Sequence, residues 1–297
     1  MTPEKILEIV EGAGHGAHVA AVKALLQPAF RLVATQLAGR PADWASDEAD
    51  EDDEDGPDAE ERLVAFEAAL AALPIGASRF GGVPDLPPGT AWPDRDGVPM
   101  EFIAQLRLAD LSNEPRLPAK GSLLFFYNSQ WASTDMEPDA RCCAVLFHDG
   151  PDDALVRAAP PRVEWQSEFS DTPQLAPMIH GLASLRFEPT VTVPGGVSPF
   201  VTGPLEEIWQ DFHSEHSSEM AGVSELYGES FLLGYVDEQD YVEAHANGTD
   251  DQLLLQVDSE DAAEFQFGDC NKLFFLLSKR ELAARDFSAV RVYSLLG

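Results

Sequence analysis

Cysteine is scarce in this chain: three in 297 residues, two of them adjacent (Cys142 and Cys143). Three thiols make no disulfide framework, so packing must hold the core and a reducing compartment suits the protein. Long apolar runs are also missing. Runs such as 123–127 and 273–277 have only five residues, whereas a membrane-spanning helix needs about 20. The first residues carry neither a basic leader nor a sustained apolar stretch. Together these features set the expectation of a cytoplasmic protein with no membrane contact. Bases are the third scarcity: 19 Lys and Arg stand against 52 Asp and Glu, a net charge of −33. Nucleic acid is not expected as a partner, because binding it takes clustered cations that release counterions.

The excess of acid is therefore the loudest positive feature. Residues 47–61 supply eleven acids and no base, yet removing them still leaves −22. The folded surface must carry the rest. Such a field keeps a protein soluble and attracts a basic protein partner. A 44% hydrophobic content is ordinary for a globular chain that buries its own core.

Local patterns divide the chain into three parts. Residues 1–40 read as a helical segment: Thr2 can cap, Pro3 suits a first helical turn, and Ile6, Ile9 and Val10 share a face. A second helical stretch from about 18 to 26 is punctuated by Pro28. Residues 41–57 read as an acidic linker, self-repelling and poor in apolar side chains. Residues 58–297 read as a sheet-rich α+β domain. A helix opens it, with Asp58 and Glu61 at capping-box spacing, Leu63, Phe66 and Leu70 on its buried side, and Pro74 as its stop. Short β-type runs between Gly and Pro turns follow at 102–106, 122–127, 143–147, 231–235, 253–257, 272–277 and 290–296. Two helices interrupt them, one after Pro204 and one after Ser278, where Glu281 completes capping-box spacing. The fold class expected is α+β, a large mixed, mostly antiparallel sheet with a helical N-terminal region.

Landmarks recur in order. Gly82, Gln105 and the pair Phe125-Phe126 are followed by Gly234, Gln256 and Phe274-Phe275, at offsets of 152, 151 and 149 residues. An internal duplication, with repeats at about 78–150 and 230–297, explains this economically.

Several blocks carry a family resemblance. "SRFGGVPDLPPGTAWP" (78–93), "GVPMEFIAQLRLADL" (97–111) and "LPAKGSLLFFY" (117–127) are joined by "LLLQVDSED" (253–261), "FGDCNKLFFLLSKREL" (267–282) and "RDFSAVRVY" (285–293). In this order they resemble the YwqG-like family of uncharacterised bacterial proteins, with a fainter echo in "LLQPAFRLV" (25–33). Residues 40–77 look like an insertion relative to that pattern. The resemblance implies an α+β fold rich in sheet and no established activity.

No catalytic set stands out. Gly81-Gly82, followed by Pro84, Pro87, Pro88 and Pro93 around Leu86 and Trp92, makes a stiff loop. It either clamps one end of the sheet or frames a cleft with Arg79 as its charged reader. The glycine pair lacks the spacing and lysine of a phosphate loop. His213 and His216 continue the apolar stripe of Leu205, Ile208, Trp209 and Phe212, so they read as core or rim groups, and no metal is expected. Cys270, in a turn beside Asp269 and Lys272, reads as a small turn residue before it reads as a nucleophile. Gln105 and Gln256, equivalent under the duplication, either tie down backbone or converge on a ligand between the halves. The ligand-binding candidates are Arg79, Trp92, Gln105, Gln256 and Asp269, with no cofactor expected. Two functions follow: a non-enzymatic binding protein for a basic or polar partner, such as an immunity or antitoxin protein, or an enzyme or binder of a polar small molecule in a cleft between halves.

Deleting residues 45–57 should leave the thermal midpoint within a few degrees of the parent. A larger fall in a melt would contradict the linker assignment, since it corresponds to roughly a kcal/mol or more of lost packing.

Overall fold

A computed structural model describes residues 3–41, 59–111, 114–129, 140–166, 174–194, 201, 205–206, 209, 230–236, 250–267 and 272–294. Residues 42–57 of the expected linker, His213, His216, Asp269 and Cys270 lie outside them.

Two helices open the chain, α1 (Pro3–Val10) and α2 (Val19–Leu25). Ile6 and Val10 of α1 and Val22 of α2 are buried against Val193, Val201 and Trp209. The helical expectation for residues 1–40 needs correcting beyond Leu25. Gln27–Ala38 is a twelve-residue strand, β1, starting beside the proline that had read as a helix stop. Helix α3 (Ala59–Ala72) ends two residues before Pro74 and buries Phe66. The other strands of the main sheet are β2 (Arg79–Phe80), β3 (Glu101–Arg107), β4 (Ser122–Tyr127), β5 (Cys143–His148), β6 (Leu182–Thr192), β7 (Ser230–Leu232), β8 (Asp251–Asp258), β9 (Lys272–Ser278) and β10 (Arg291–Ser294). A short helix α4 (Lys279–Ala284) follows β9. Its capping box is made: the Glu281 amide donates to Ser278 Oγ at 3.2 Å, and the Ser278 amide donates to Glu281 Oε2 at 2.7 Å.

The ten strands form one sheet in the order β10-β9-β8-β7-β1-β6-β2-β3-β4-β5, and every pairing is antiparallel. This is the large antiparallel sheet expected. Its two longest strands sit at the centre: β1 pairs with β6 from Gln27 opposite Thr192 to Ala38 opposite Leu182. On one side runs the meander β2-β3-β4-β5, on the other β7-β8-β9-β10. The first strands are exchanged: β1 borders β7 of the later meander, and β6 borders β2 of the earlier one.

The two sides match in register as well as order. Arg79 stands opposite Gln105 and Phe231 opposite Gln256. A bulge falls at Ile103 in β3 and at Leu254 in β8. Ser78 Oγ accepts the Arg107 amide at 2.9 Å, and Ser230 Oγ accepts the Asp258 amide at 3.1 Å. After each short strand the backbone turns left-handed, at Gly81 (φ 62°) and Gly82 (φ 67°), and at Leu233 (φ 63°) and Gly234 (φ 98°). A side chain at Gly81 has no room, because its Cβ would lie 1.8 Å from the Gly181 carbonyl oxygen. One landmark slips. Phe125 corresponds to Phe275 and Leu124 to Phe274, so the two Phe pairs are one residue out of phase.

A flat sheet would hold β4 and β9, seven interstrand spacings apart, about 34 Å from each other. Yet the Phe125 and Phe275 rings meet edge to face with centroids 5.2 Å apart, and Phe147 of β5 packs on Phe287 just ahead of β10. The sheet therefore curls until its two ends share one core, which runs through Phe80, Ile103, Leu106, Phe125, Leu255, Phe275 and Val292. The opposite faces are covered separately: Leu86, Met100, Phe102, Leu124 and Phe126 on the first side, Phe231, Leu253, Phe274, Leu276 and Tyr293 on the second. No helix among the described residues is long and apolar enough to cross a membrane.

Without β1, β6 and β7 each present a bare edge at the middle of the sheet. A chain beginning at residue 59 should consequently show no cooperative unfolding transition by circular dichroism. A sharp transition for that fragment would show that β1 is dispensable.

Candidate functional site

Candidate residues cluster under the stiff loop after β2. Arg79 and Asp85 are fully buried and paired at 3.0 Å. Arg79 donates from Nη1 to the Ala77 carbonyl (3.0 Å) and from Nε (3.2 Å) and Nη2 (2.5 Å) to the Val83 carbonyl, while its guanidinium lies over the Phe102 ring. Asp85 is saturated. Its Oδ2 accepts from Arg79, from the Gly76 amide (2.8 Å) and from Gln105 Nε2 (3.2 Å), and its Oδ1 accepts from Arg157 Nε (2.7 Å). Gln105 returns the contact, its Oε1 accepting the Asp85 amide at 2.9 Å. Arg157, on the short ribbon Val156–Arg157 that pairs with Asp85–Leu86, also donates to the Leu70 and Leu73 carbonyls at the end of α3. A cation there complements the negative end of the helix dipole.

The electrostatics follow from burial. Desolvation pulls Arg79 down to about 10, with Asp85 opposing, so it stays charged at neutral pH. For Asp85, burial favours the neutral acid, but the charge of Arg79, the Arg157 hydrogen bond and the Gly76 amide outweigh it. The carboxyl is held below its ordinary value. A buried ion pair is stable only when its remaining hydrogen bonds are met, and here they are. Arg79 and Gln105 act on their own loop: they fasten residues 76–85 to β3, as the clamp reading of that loop requires.

The remaining candidates lie elsewhere. Trp92 is in the covering layer of the same side, donating to the Met100 carbonyl at 2.8 Å and packing edge to face on Phe126. Gln256 is buried on β8 between Phe231 and Phe274, in the covering layer of the other side. Both glutamines occupy faces turned away from the shared core, and Phe125 against Phe275 fills the space between halves. The expected ligand cleft at that place is corrected accordingly: the four described candidates do not converge there. Asp258, at the end of β8, stands opposite Lys272 with 3.6 Å between their charged atoms.

One hydrogen-bonded chain had no sequence signal. Glu101, at the start of β3, accepts from Ser129 Oγ on one oxygen and contacts His180 Nε2 at 2.9 Å with the other. His180 is buried, its ring edge-on to Phe265 at 4.8 Å, and its Nδ1 has no hydrogen-bond partner among the described residues. The three residues come from three distant segments, so no spacing betrays them. The one hint is an acid beginning a strand whose next five residues are uncharged and buried. Tyr127 stands opposite Glu101, and burial pushes the pKa of its hydroxyl up, keeping it neutral. No group of three or more metal-ligating side chains forms among the described residues.

Residues 78–294 match the family model described as Domain of unknown function (DUF1963). The chain belongs to the DUF1963 family. No curated protein matches it. The DUF1963 region holds the Arg79–Asp85–Gln105–Arg157 cluster and the Ser129–Glu101–His180 chain, whereas β1 and α3 precede it. One of the two central strands, β1, thus lies outside the DUF1963 match.

Replacing Asp85 by Asn removes the charge that two arginines share. The expected cost is about 3–5 kcal/mol, roughly a 10 °C fall in Tm for a chain of this size. Because the Asp85 carboxyl is held low, its stabilisation is complete above the ordinary value of 3.8 and lost as pH falls through the depressed one. The stability gap between the parent and D85N, measured by denaturant titration, should close in acid. A gap unchanged from neutral pH to pH 2 would contradict the account.

Proposed function

We propose that this DUF1963 protein is a non-enzymatic binding protein for a basic partner, an immunity or antitoxin protein facing a cationic toxin being one concrete form. The observation that carries the reading is the net charge of −33, of which −22 remains without residues 47–61. A field of that sign steers a cationic protein and raises its association rate. The buried candidates support it indirectly, since Arg79 and Gln105 are committed to the loop they fasten. The reading takes the cytoplasm as the meeting place, in keeping with two buried, unbridged cysteines. The narrower resemblance to YwqG-like bacterial proteins is compatible with it and adds no activity. We also read the two five-strand units as copies of one duplicated ancestor, on the strength of their shared register, bulges and left-handed turns.

A second reading, an enzyme or a binder of a polar small molecule, draws on Ser129–Glu101–His180. A hydroxyl held by a carboxylate that a third group orients has the form of an activated nucleophile. Fluorophosphonate labelling that disappears in Ser129→Ala would favour it.

Affinity capture from native lysate, read by mass spectrometry for proteins and small molecules, separates the two. The expected outcome is a basic protein retained in dilute buffer and released by a few tenths molar salt. Stoichiometric recovery of a small molecule with no protein would contradict the first reading.

A further inference from the structure

Helix α3 carries apolar side chains on its outer face as well as its inner one. Its inner face, Phe66 with Ala69, Leu70 and Leu73, packs on Ala38, Val83, Ile179 and Leu182. Its outer face carries Val64, 60% exposed, then Ala68 and Ala71, and Ile75, 39% exposed, continues the line just beyond the helix. Spacings of four, three and four residues put these side chains on one stripe. Val156, 49% exposed, is adjacent in sequence to Arg157, which lines a shallow groove of about 550 Å³ with Leu70, Ala71, Leu73, Pro74 and Ile75. A surface helix normally turns polar residues outward, so an exposed apolar line with a charged rim marks a contact surface.

Charge says what kind of cover. Glu60, Glu61 and Glu67 are exposed along α3, whose single base, Arg62, is half-buried. A second copy of the chain would bring the same acids and a further −33 against this face. A cationic helix with one apolar side meets both the stripe and its rim.

We propose that the outer face of α3, with the groove at its C-terminal end, is the docking surface for a basic amphipathic helical segment of a partner protein. The proposal rests on the basic-partner reading above and adds the place and the partner's shape.

The test uses the full chain and a fluorescein-labelled 18-residue amphipathic Lys/Leu peptide, followed by anisotropy. Val64→Glu combined with Ala71→Glu adds negative charge, so attraction by the general field alone would tighten binding, whereas loss of an apolar seat weakens it. The expected result is at least a tenfold weaker Kd for the double variant. Glu60→Gln, Glu61→Gln and Glu67→Gln together should weaken binding several-fold. Both Glu substitutions sit at exposed helical positions that a good helix former suits. If the double variant nevertheless melts early, hydrogen exchange of the parent answers instead, with peptide-induced protection expected at 60–75. Equal or tighter binding by a folded double variant, or protection confined elsewhere, overturns the docking surface and leaves the basic-partner reading standing. No binding of the peptide by the parent in dilute buffer overturns both. A parent dimer in sedimentation that the double variant turns into monomer overturns the choice of occupant in favour of a second copy.

Discussion

The rest of the molecule depends on the pairing of β1 with β6. Each strand precedes one meander in sequence and borders the other in space, so each half completes its sheet with a strand from the opposite half. Curling the sheet then presses the two ends together at Phe125 and Phe275. Such an aromatic pair adds roughly 0.5–1.5 kcal/mol beyond its buried area. Its larger effect is topological, because neither meander can close its inner face without the other. The interior between the halves is consequently a packed core, and any recognition surface has to be found on the outside.

Comparison of the two sides separates what the fold needs from what one side has added. Both make the left-handed turn after the short strand, both anchor it through a serine hydroxyl, and both bury a glutamine two residues past the bulge. At the position of Arg79 the second side has Phe231. The turn itself therefore does not require a buried cation. Arg79, Asp85 and Arg157 instead fasten the loop to the end of α3, through Arg157 donating to the Leu70 and Leu73 carbonyls. The cluster fixes the helix whose outer face carries Val64, the most exposed large apolar side chain described. Stability and the proposed docking surface meet at that point.

Much of this was legible in the residues. Strands β3, β4, β5, β8 and β9 follow apolar runs bounded by Gly and Pro, and the α4 capping box is visible from Ser278 and Glu281. The central strands were not legible. β1 contains Pro28, and β6 contains Pro189, Arg186 and Glu188, a composition that argues against a central strand. Beyond Leu185, β6 has a ladder partner on one side only among the described residues, which is where a proline is tolerated. Gln105 and Gln256 were visible as equivalent positions. Their outward orientation depends on bulges at Ile103 and Leu254, which no local pattern announces. Glu101, Ser129 and His180 come together only through the sheet, so sequence spacing could not reveal them.

Native-state hydrogen exchange across a low-denaturant series tests the exchanged-strand architecture most directly. If β1 and β6 bind both meanders into one body, the slowest amides of β3, β4, β8 and β9 should open with a single free energy, equal to that of global unfolding. Opening of one meander at a distinctly lower free energy, while the other stays protected, would contradict it.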